Sequence, residues 1–277
     1  MHPSRRTFLA SFLAAPAAFA AKSRVKIGVT DWNLRLAGKI EAVALAKKLG
    51  FAGVEVSIGR KPQGDTLPLA DPALQQQYLA AAKEHGIALA GTCLDILHVN
   101  YLKNDKLGRK WVADGIPITR KLNARVMLLP FFGKGALATT AEKDYVGDVL
   151  RELAPEAAKA GVILCLENTI SAEDNVRIME RTRSQAVKVY YDTGNSFHAG
   201  FDPVKEIRWL GRKRIGQMHL KDNPGYMGEG KIDFPAVMKA IADIGFDGFA
   251  NLETDAPSKS IEADMARNLA FIRKLMS

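Results

Sequence analysis

The chain has 277 residues, 47% of them hydrophobic, and a formal net charge of +9, enough apolar material for one large domain or two small ones. Its basic residues are scattered, in pieces such as Arg181/Arg183 and Arg212-Lys213-Arg214, with no stripe of cations and aromatics to suggest nucleic-acid binding. Beyond the N-terminal stretch, no apolar run approaches the roughly 18 residues that mark a membrane-spanning helix.

The first residues stand apart. Ser4-Arg5-Arg6-Thr7-Phe8-Leu9 precedes an Ala-rich apolar stretch, and Ala18-Phe19-Ala20 fits the small-x-small pattern of a cleavage site. Residues 1–21 therefore read as a twin-arginine-type export signal. The twin-arginine export machinery is then a partner, and the destination is periplasmic or extracellular. A fortuitous basic start to an ordinary helix is the alternative. The segment 22–277 is read as one domain, with 37 basic residues against 30 acidic ones.

From there the pattern alternates short β-rich runs with longer amphipathic ones. Val25–Thr30 reads as a strand and Ile40–Leu49 as a helix closed by Gly50; Gly53–Ser57 and Pro72–His85 form the next such pair. Ile87–Cys93 and Arg125–Leu129 read as strands, each followed by a helix, over Lys106–Leu122 and Ala141–Ala160. The strands Val162–Glu167, Val187–Tyr191, Ile215–His219 and Gly248–Glu253 follow. Helices over Glu173–Arg183, Pro203–Leu210, Phe234–Ile244 and Ile261–Met276 come after each in turn.

Eight β/α units without a composition break predict a single (β/α)8 barrel of α/β class. A doubly wound open sheet is the alternative, but no Gly-rich dinucleotide fingerprint follows the first strand. Cys93 and Cys165 fall in non-neighbouring strands and are expected to be buried free thiols.

Four polar residues each close an apolar run: Glu167 in VILCLENT, Asp192 in VKVYYDTGN, His219 in IGQMHLKD and Glu253 in FANLETD. In a barrel these are the C-terminal ends of strands five to eight, where active sites form. Three carboxylates and an imidazole suit one divalent cation. The donors favour Mn²⁺, Mg²⁺ or Co²⁺ over a structural zinc and also admit Zn²⁺ and Fe²⁺. A cation holding a carbonyl and an adjacent hydroxyl stabilises an enediolate, and Glu167 and Glu253 flank the site as a proton-transfer pair.

The segments LEN, YYDTGN, FDPVKEI, MHLKD, GEGKIDF and NLET recur in this order in the sugar phosphate isomerase/epimerase superfamily, the xylose isomerase-like TIM barrels, which the chain resembles over roughly residues 25–275. The resemblance implies that Glu167, Asp192, His219 and Glu253 bind metal and that Glu167 and Glu253 are also the acid/base pair. Glu173 matches a substrate-contacting Glu of the ketose 3-epimerases, with a place in the first turn of a helix as the structural alternative. Asn195 stands where those enzymes carry a substrate-binding His, with His198 three residues further on, and Gly225 stands where they carry an Arg.

Other candidates for substrate binding have a structural alternative. Trp32 could stack on a sugar face or pack the rim. Glu55 could reach the mouth or satisfy a buried partner lower in the barrel. His98 could contact substrate or sit in a surface loop, and Lys221 could face inward or into solvent. Gly225–Gly230 reads as a mobile loop beside the site.

The expected function is a metal-dependent isomerase or epimerase of a sugar or sugar derivative. A lyase or dehydratase using the same site is the alternative, and a non-catalytic carbohydrate-binding protein is the alternative of another class. Homo-oligomerisation is left open.

Overall fold

The computed structural model describes residues 24–277. The predicted export signal at residues 1–21 lies outside the described residues. Eight parallel strands close into a barrel in sequence order: β1 (Lys26–Thr30), β2 (Gly53–Ser57), β3 (Ala88–Cys93), β4 (Val126–Pro130), β5 (Ile163–Glu167), β6 (Val187–Asp192), β7 (Ile215–Leu220) and β8 (Phe249–Leu252). The helices are α1 (Glu41–Leu49), α2 (Pro72–His85), α3 (Lys106–Lys121), α4 (Thr140–Ala160), α5 (Ala172–Thr182), α6 (Thr193–His198), α7 (Pro203–Arg214), α8 (Phe234–Asp243) and α9 (Ile261–Met276).

Local chemistry sets these boundaries. Gly50 and Gly161 end α1 and α4 in the left-handed region, at φ 91° and 71°, with their N–H groups bonded to the last helical carbonyls. Thr139 and Glu142 form a capping box at the start of α4. The strands alternate, so Met127, Leu129, Leu164 and Leu166 pack outward against the helices. Val126, Leu128, Cys165 and Tyr190 form a smaller cluster of their own, with Cys93. Both cysteines are buried and free, as expected.

Register brings the strand ends level. Asp192 pairs with His219 across β6 and β7, and His219 pairs with Asn251 across β7 and β8. Glu253 follows directly, its N–H donating to the Leu220 carbonyl at 3.2 Å. The register shifts at Val54/Glu55 between β2 and β3, and at Val189/Tyr190 between β6 and β7. The one-turn helix α6 lacks a counterpart in the sequence reading; Asp192 caps it, its Oδ1 accepting from the Asn195 N–H at 2.7 Å.

The segment after β7 is firmly held. Asp222 Oδ2 accepts from the N–H groups of Gly228 at 2.9 Å and Gly230 at 3.1 Å. Asn268 Oδ1 accepts from the Met227 N–H at 3.0 Å, and the Tyr226 hydroxyl donates to Asp264 at 2.9 Å. Met227 and Ile232 are buried. The Gly-rich sequence suggests mobility, whereas side chains from α9 and from Asp222 pin its backbone.

Candidate metal centre

Glu167, Asp192, His219 and Glu253 meet at the mouth of the barrel, each offering one ligand atom, all within 4.8 Å of one another. His219 Nδ1 lies 2.9 Å from Glu167 Oε1, and 3.7 Å from both Asp192 Oδ2 and Glu253 Oε2. The first three residues are buried, while Glu253 is partly open to the cavity.

Neighbours fix the remaining lone pairs. Trp32 Nε1 donates to Glu253 Oε1 at 2.8 Å, and Asn195 Nδ2 donates to Glu167 Oε1 at 3.3 Å. The Lys221 ammonium lies 3.1 Å from Asp192 Oδ2, 3.3 Å from Asn195 Oδ1 and directly against Glu253. Asp192 Oδ2 and Glu253 Oε2 are both buried, with the Lys221 ammonium as the cation set against them.

Charge in the cluster is finely divided. Burial pushes the Glu167 carboxyl up to about 7, against the pull of His219. Burial likewise raises Asp192, opposed mainly by Lys221. Burial also acts to raise Glu253, but the positive charges of His219 and Lys221 outweigh it and hold that carboxyl at about 2. Burial acts to lower His219, and the carboxylates of Glu253, Glu167 and Glu55 reverse the effect, raising it well above the usual imidazole range. For Lys221 the same contest, with Asp192 and Glu253 as the attracting charges, again ends above the ordinary value.

The convergence of the four ligand atoms is the observation that tests the fit to a metal. Three carboxylates and an imidazole converge, the only cation against them among the described residues is the Lys221 ammonium, and no thiolate takes part. That is a donor set for a hard or borderline divalent cation.

The cluster forms one wall of a cavity of about 860 Å³. Trp32, His98, Asn195 and Lys221 line it with Glu167 and Glu253, so four of the substrate-binding candidates share the mouth with both glutamates. Lys221 faces inward, its side chain 15% exposed. His98 stacks on Phe132 with ring centroids 6.1 Å apart.

Two candidates sit elsewhere. Glu173 is exposed in the first turn of α5, where a carboxylate favours the helix N-terminus, and it is not among the residues lining the cavity. Glu55 is fully buried beneath the cluster, where its Oε2 accepts from His219 Nε2 at 2.9 Å; of its two sequence readings, the buried one describes its position. His198 is exposed and bonds the Asn223 carbonyl at 3.1 Å.

The sequence reading passed over Arg60, Asp95 and Phe132, which line the far wall. Arg60 lies 3.4 Å from Asp95, whose Oδ1 accepts from the Gly59 N–H at 2.7 Å. Their signal was their place just beyond strands two to four, where loops rim the mouth of a barrel.

Comparison with known proteins gives the same architecture. A family model described as "Xylose isomerase-like TIM barrel" matches residues 43–275. The chain is 25% identical over 202 residues to a 2-epi-5-epi-valiolone 7-phosphate 2-epimerase of Actinoplanes sp., covering 72% of this chain and 73% of that protein. It is 27% identical over 157 residues to an inosose dehydratase of Geobacillus thermodenitrificans, covering 47% and 52% respectively. Among solved structures, the D-psicose 3-epimerase of Clostridium cellulolyticum H10 superposes with a TM-score of 0.74 at 19% identity, over 91% of this chain and all (100%) of that one.

Proposed function

This chain belongs to the xylose isomerase-like TIM barrel family, and we propose that it is a divalent-metal-dependent isomerase or epimerase of a sugar or sugar derivative. The observation that carries the reading is the convergence of Glu167, Asp192, His219 and Glu253, whose ligand atoms lie within 4.8 Å of one another. The epimerase name of the Actinoplanes relative supports the reaction class.

The residues divide the work. Asp192 and His219 hold the cation, and Glu167 and Glu253 both ligate it and handle protons. When bound, the cation supplies Lewis-acid stabilisation of the charge that develops on the substrate's carbonyl oxygen. Manganese suits the donor set best, since carboxylate-rich sites with an imidazole accommodate it without thiolates.

One glutamate removes the proton from the carbon beside the carbonyl. The other delivers a proton to the opposite face of that carbon, which inverts it; delivery to the neighbouring carbon isomerises the sugar instead. Trp32 holds Glu253 by Oε1, so its other oxygen faces the cluster. Asn195 bridges Lys221 and Glu167 and fixes their separation. Lys221, inside the cavity wall, is placed to meet an oxygen of the substrate.

A second reading keeps the same site and lets the carbanion expel a β-substituent; the inosose dehydratase relative favours carrying it. Incubation in D₂O with a free ketose and with a 3-keto-glycoside separates the two. Solvent deuterium in an intact sugar identifies epimerisation or isomerisation, and release of the substituent identifies elimination. Metal analysis of the purified protein and of Glu253→Gln tests the centre itself: the wild type carries stoichiometric divalent metal and the variant much less. Equal, negligible metal in both refutes the reading.

We also hold to export through residues 1–21 by the twin-arginine route, which delivers a folded, metal-loaded enzyme to the periplasm or beyond. Replacing Arg5 and Arg6 with lysine should keep the protein inside the cell on fractionation.

A further inference from the structure

Beneath the metal-binding residues the barrel interior is polar, a departure from the branched apolar layers that usually fill it. Glu55 on β2 is the hub. Its Oε2 accepts from the Tyr190 hydroxyl at 2.6 Å, from His219 Nε2 at 2.9 Å and from Asn251 Nδ2 at 2.9 Å. Asn251 Nδ2 also donates to the Tyr190 oxygen at 2.9 Å, and Gln217 Nε2 does so at 3.2 Å. Glu55, His219 and Asn251 are fully buried, and Tyr190 and Gln217 nearly so.

The backbone is shaped around this cluster. Both register shifts of the barrel fall on its members, at Val54/Glu55 and Val189/Tyr190, as irregularities do where a side chain is re-aimed near a site. Two glycines make the room. A Cβ at Gly28 would stand 2.1 Å from Asn251 Oδ1, and one at Gly91 would stand 2.9 Å from Gln217 Nε2. The arrangement carries a cost, because Glu55 Oε1 and Asn251 Oδ1 are buried without partners. A packed barrel needs none of this for stability alone.

What the cluster grips is one edge of His219. The imidazole is held between Tyr190, with ring centroids 4.4 Å apart, and Trp32, which meets it edge-on at 5.7 Å. Nε2 points down at Glu55, and Nδ1 points up at Glu167, Asp192 and Glu253. A carboxylate oxygen that receives three donors acts only as an acceptor, so the nitrogen facing it must carry a hydrogen.

We infer that Glu55 is the positioning residue of the metal centre: by taking the Nε2 hydrogen of His219 it fixes Nδ1 as the ligand nitrogen, and its charge makes that nitrogen a better donor. Tyr190, Asn251 and Gln217 hold Glu55 in turn. The inference rests on the reading that His219 ligates a cation, and it assigns Glu55 a role below the metal rather than in the substrate cavity. Outer-shell carboxylates of this type commonly change metal affinity by about 10–100-fold when removed.

The test is Glu55→Gln, which keeps the size of the side chain and removes the charge. Manganese titration of chelator-stripped protein is expected to show a dissociation constant raised about 10–100-fold, with the metal-free circular dichroism spectrum unchanged. Wild-type affinity in a folded Glu55→Gln protein overturns the inference, as does a lowered melting temperature with unchanged metal affinity, the signature of a purely structural role. A wild type that binds no divalent metal instead overturns the metal reading itself and this inference with it.

If Glu55→Gln does not fold, ¹⁵N shifts of His219 in zinc-loaded wild type decide. A protonated Nε2 and a metal-bound Nδ1 are expected, and the opposite assignment overturns the inference.

Discussion

Replacing Lys221 with methionine asks whether the ammonium group stands in ground that a divalent cation needs. Nζ lies 3.1 Å from Asp192 Oδ2 and touches Glu253, and the four ligand atoms are confined within 4.8 Å. A unit charge about 5 Å from a double charge is repelled by roughly 7 kcal/mol at an effective dielectric constant near 20. The side chain is 15% exposed to the cavity, so its ammonium can retreat into water. Relaxation and screening leave about 1–3 kcal/mol, or roughly ten- to hundredfold in affinity. Methionine preserves most of the stem that packs on Gly194, where an added Cβ would come within 2.9 Å of it. Isothermal titration of chelator-stripped protein with manganese should therefore give tighter binding for Lys221→Met than for wild type. The metal-free melting temperature should fall, because the carboxylates lose their counter-cation. Unchanged or weaker manganese binding refutes the reasoning and makes Lys221 an organiser of the ligands rather than a competitor of the metal.

Two further expectations concern other contacts. Trp32→Phe removes the indole donor to Glu253 Oε1, a bond to a charged acceptor worth about 1.5–3 kcal/mol. Turnover should fall at least tenfold while the circular dichroism spectrum stays intact, and unchanged turnover counts against Glu253 as a proton-transfer group. Glu142, paired with Lys103 and capping α4, is held at about 2 by Lys103 and the Thr139 and Ala138 N–H groups. Its folded value is depressed, so its contribution is present above about pH 4.5 and is lost as pH falls toward 2. After solvent screening, Glu142→Gln should cost about 1 kcal/mol at neutral pH, shrinking across that acidic window in urea melts. A difference independent of pH refutes the ion-pair account.

The convergence of Glu167, Asp192, His219 and Glu253 was legible because each member interrupts an apolar run at the point where a strand must end. Glu167 follows ILCL and His219 follows IGQM, and period-two burial leaves few other reasons for a charge there. Barrel closure was legible from the count of units.

The network below these four residues was much harder to read. Glu55, Tyr190 and Asn251 are separated by 135 and 61 residues and meet only once β1 pairs with β8. Alternation places each inside the barrel but says nothing of which polar groups touch. The segment after β7 misled for a related reason. Its glycines suggest freedom, but the constraint comes from Asn268 and Asp264, about forty residues away. Helix α6 spans six residues, too short for a periodic signal, though Asp192 three residues before Asn195 was a readable cap.

The mouth of the barrel is divided. Glu167, Asn195, Lys221 and Glu253 come from the second half of the chain, whereas Arg60, Asp95, His98 and Phe132 come from loops following β2 to β4. On the proposed function, exchanging the loops between residues 58 and 135 should alter which sugar is accepted while leaving Glu167, Asn195, Lys221 and Glu253 in place. The partition is breached twice, first by Trp32 after β1, whose indole donates to Glu253 Oε1. Glu55 belongs by sequence to the half that shapes the substrate, yet its carboxylate holds the imidazole of the other. A chimera that imports the first half of a relative's barrel keeps these contacts to His219 and Glu253 only if it brings a carboxylate of the same reach at position 55 and an indole donor at position 32.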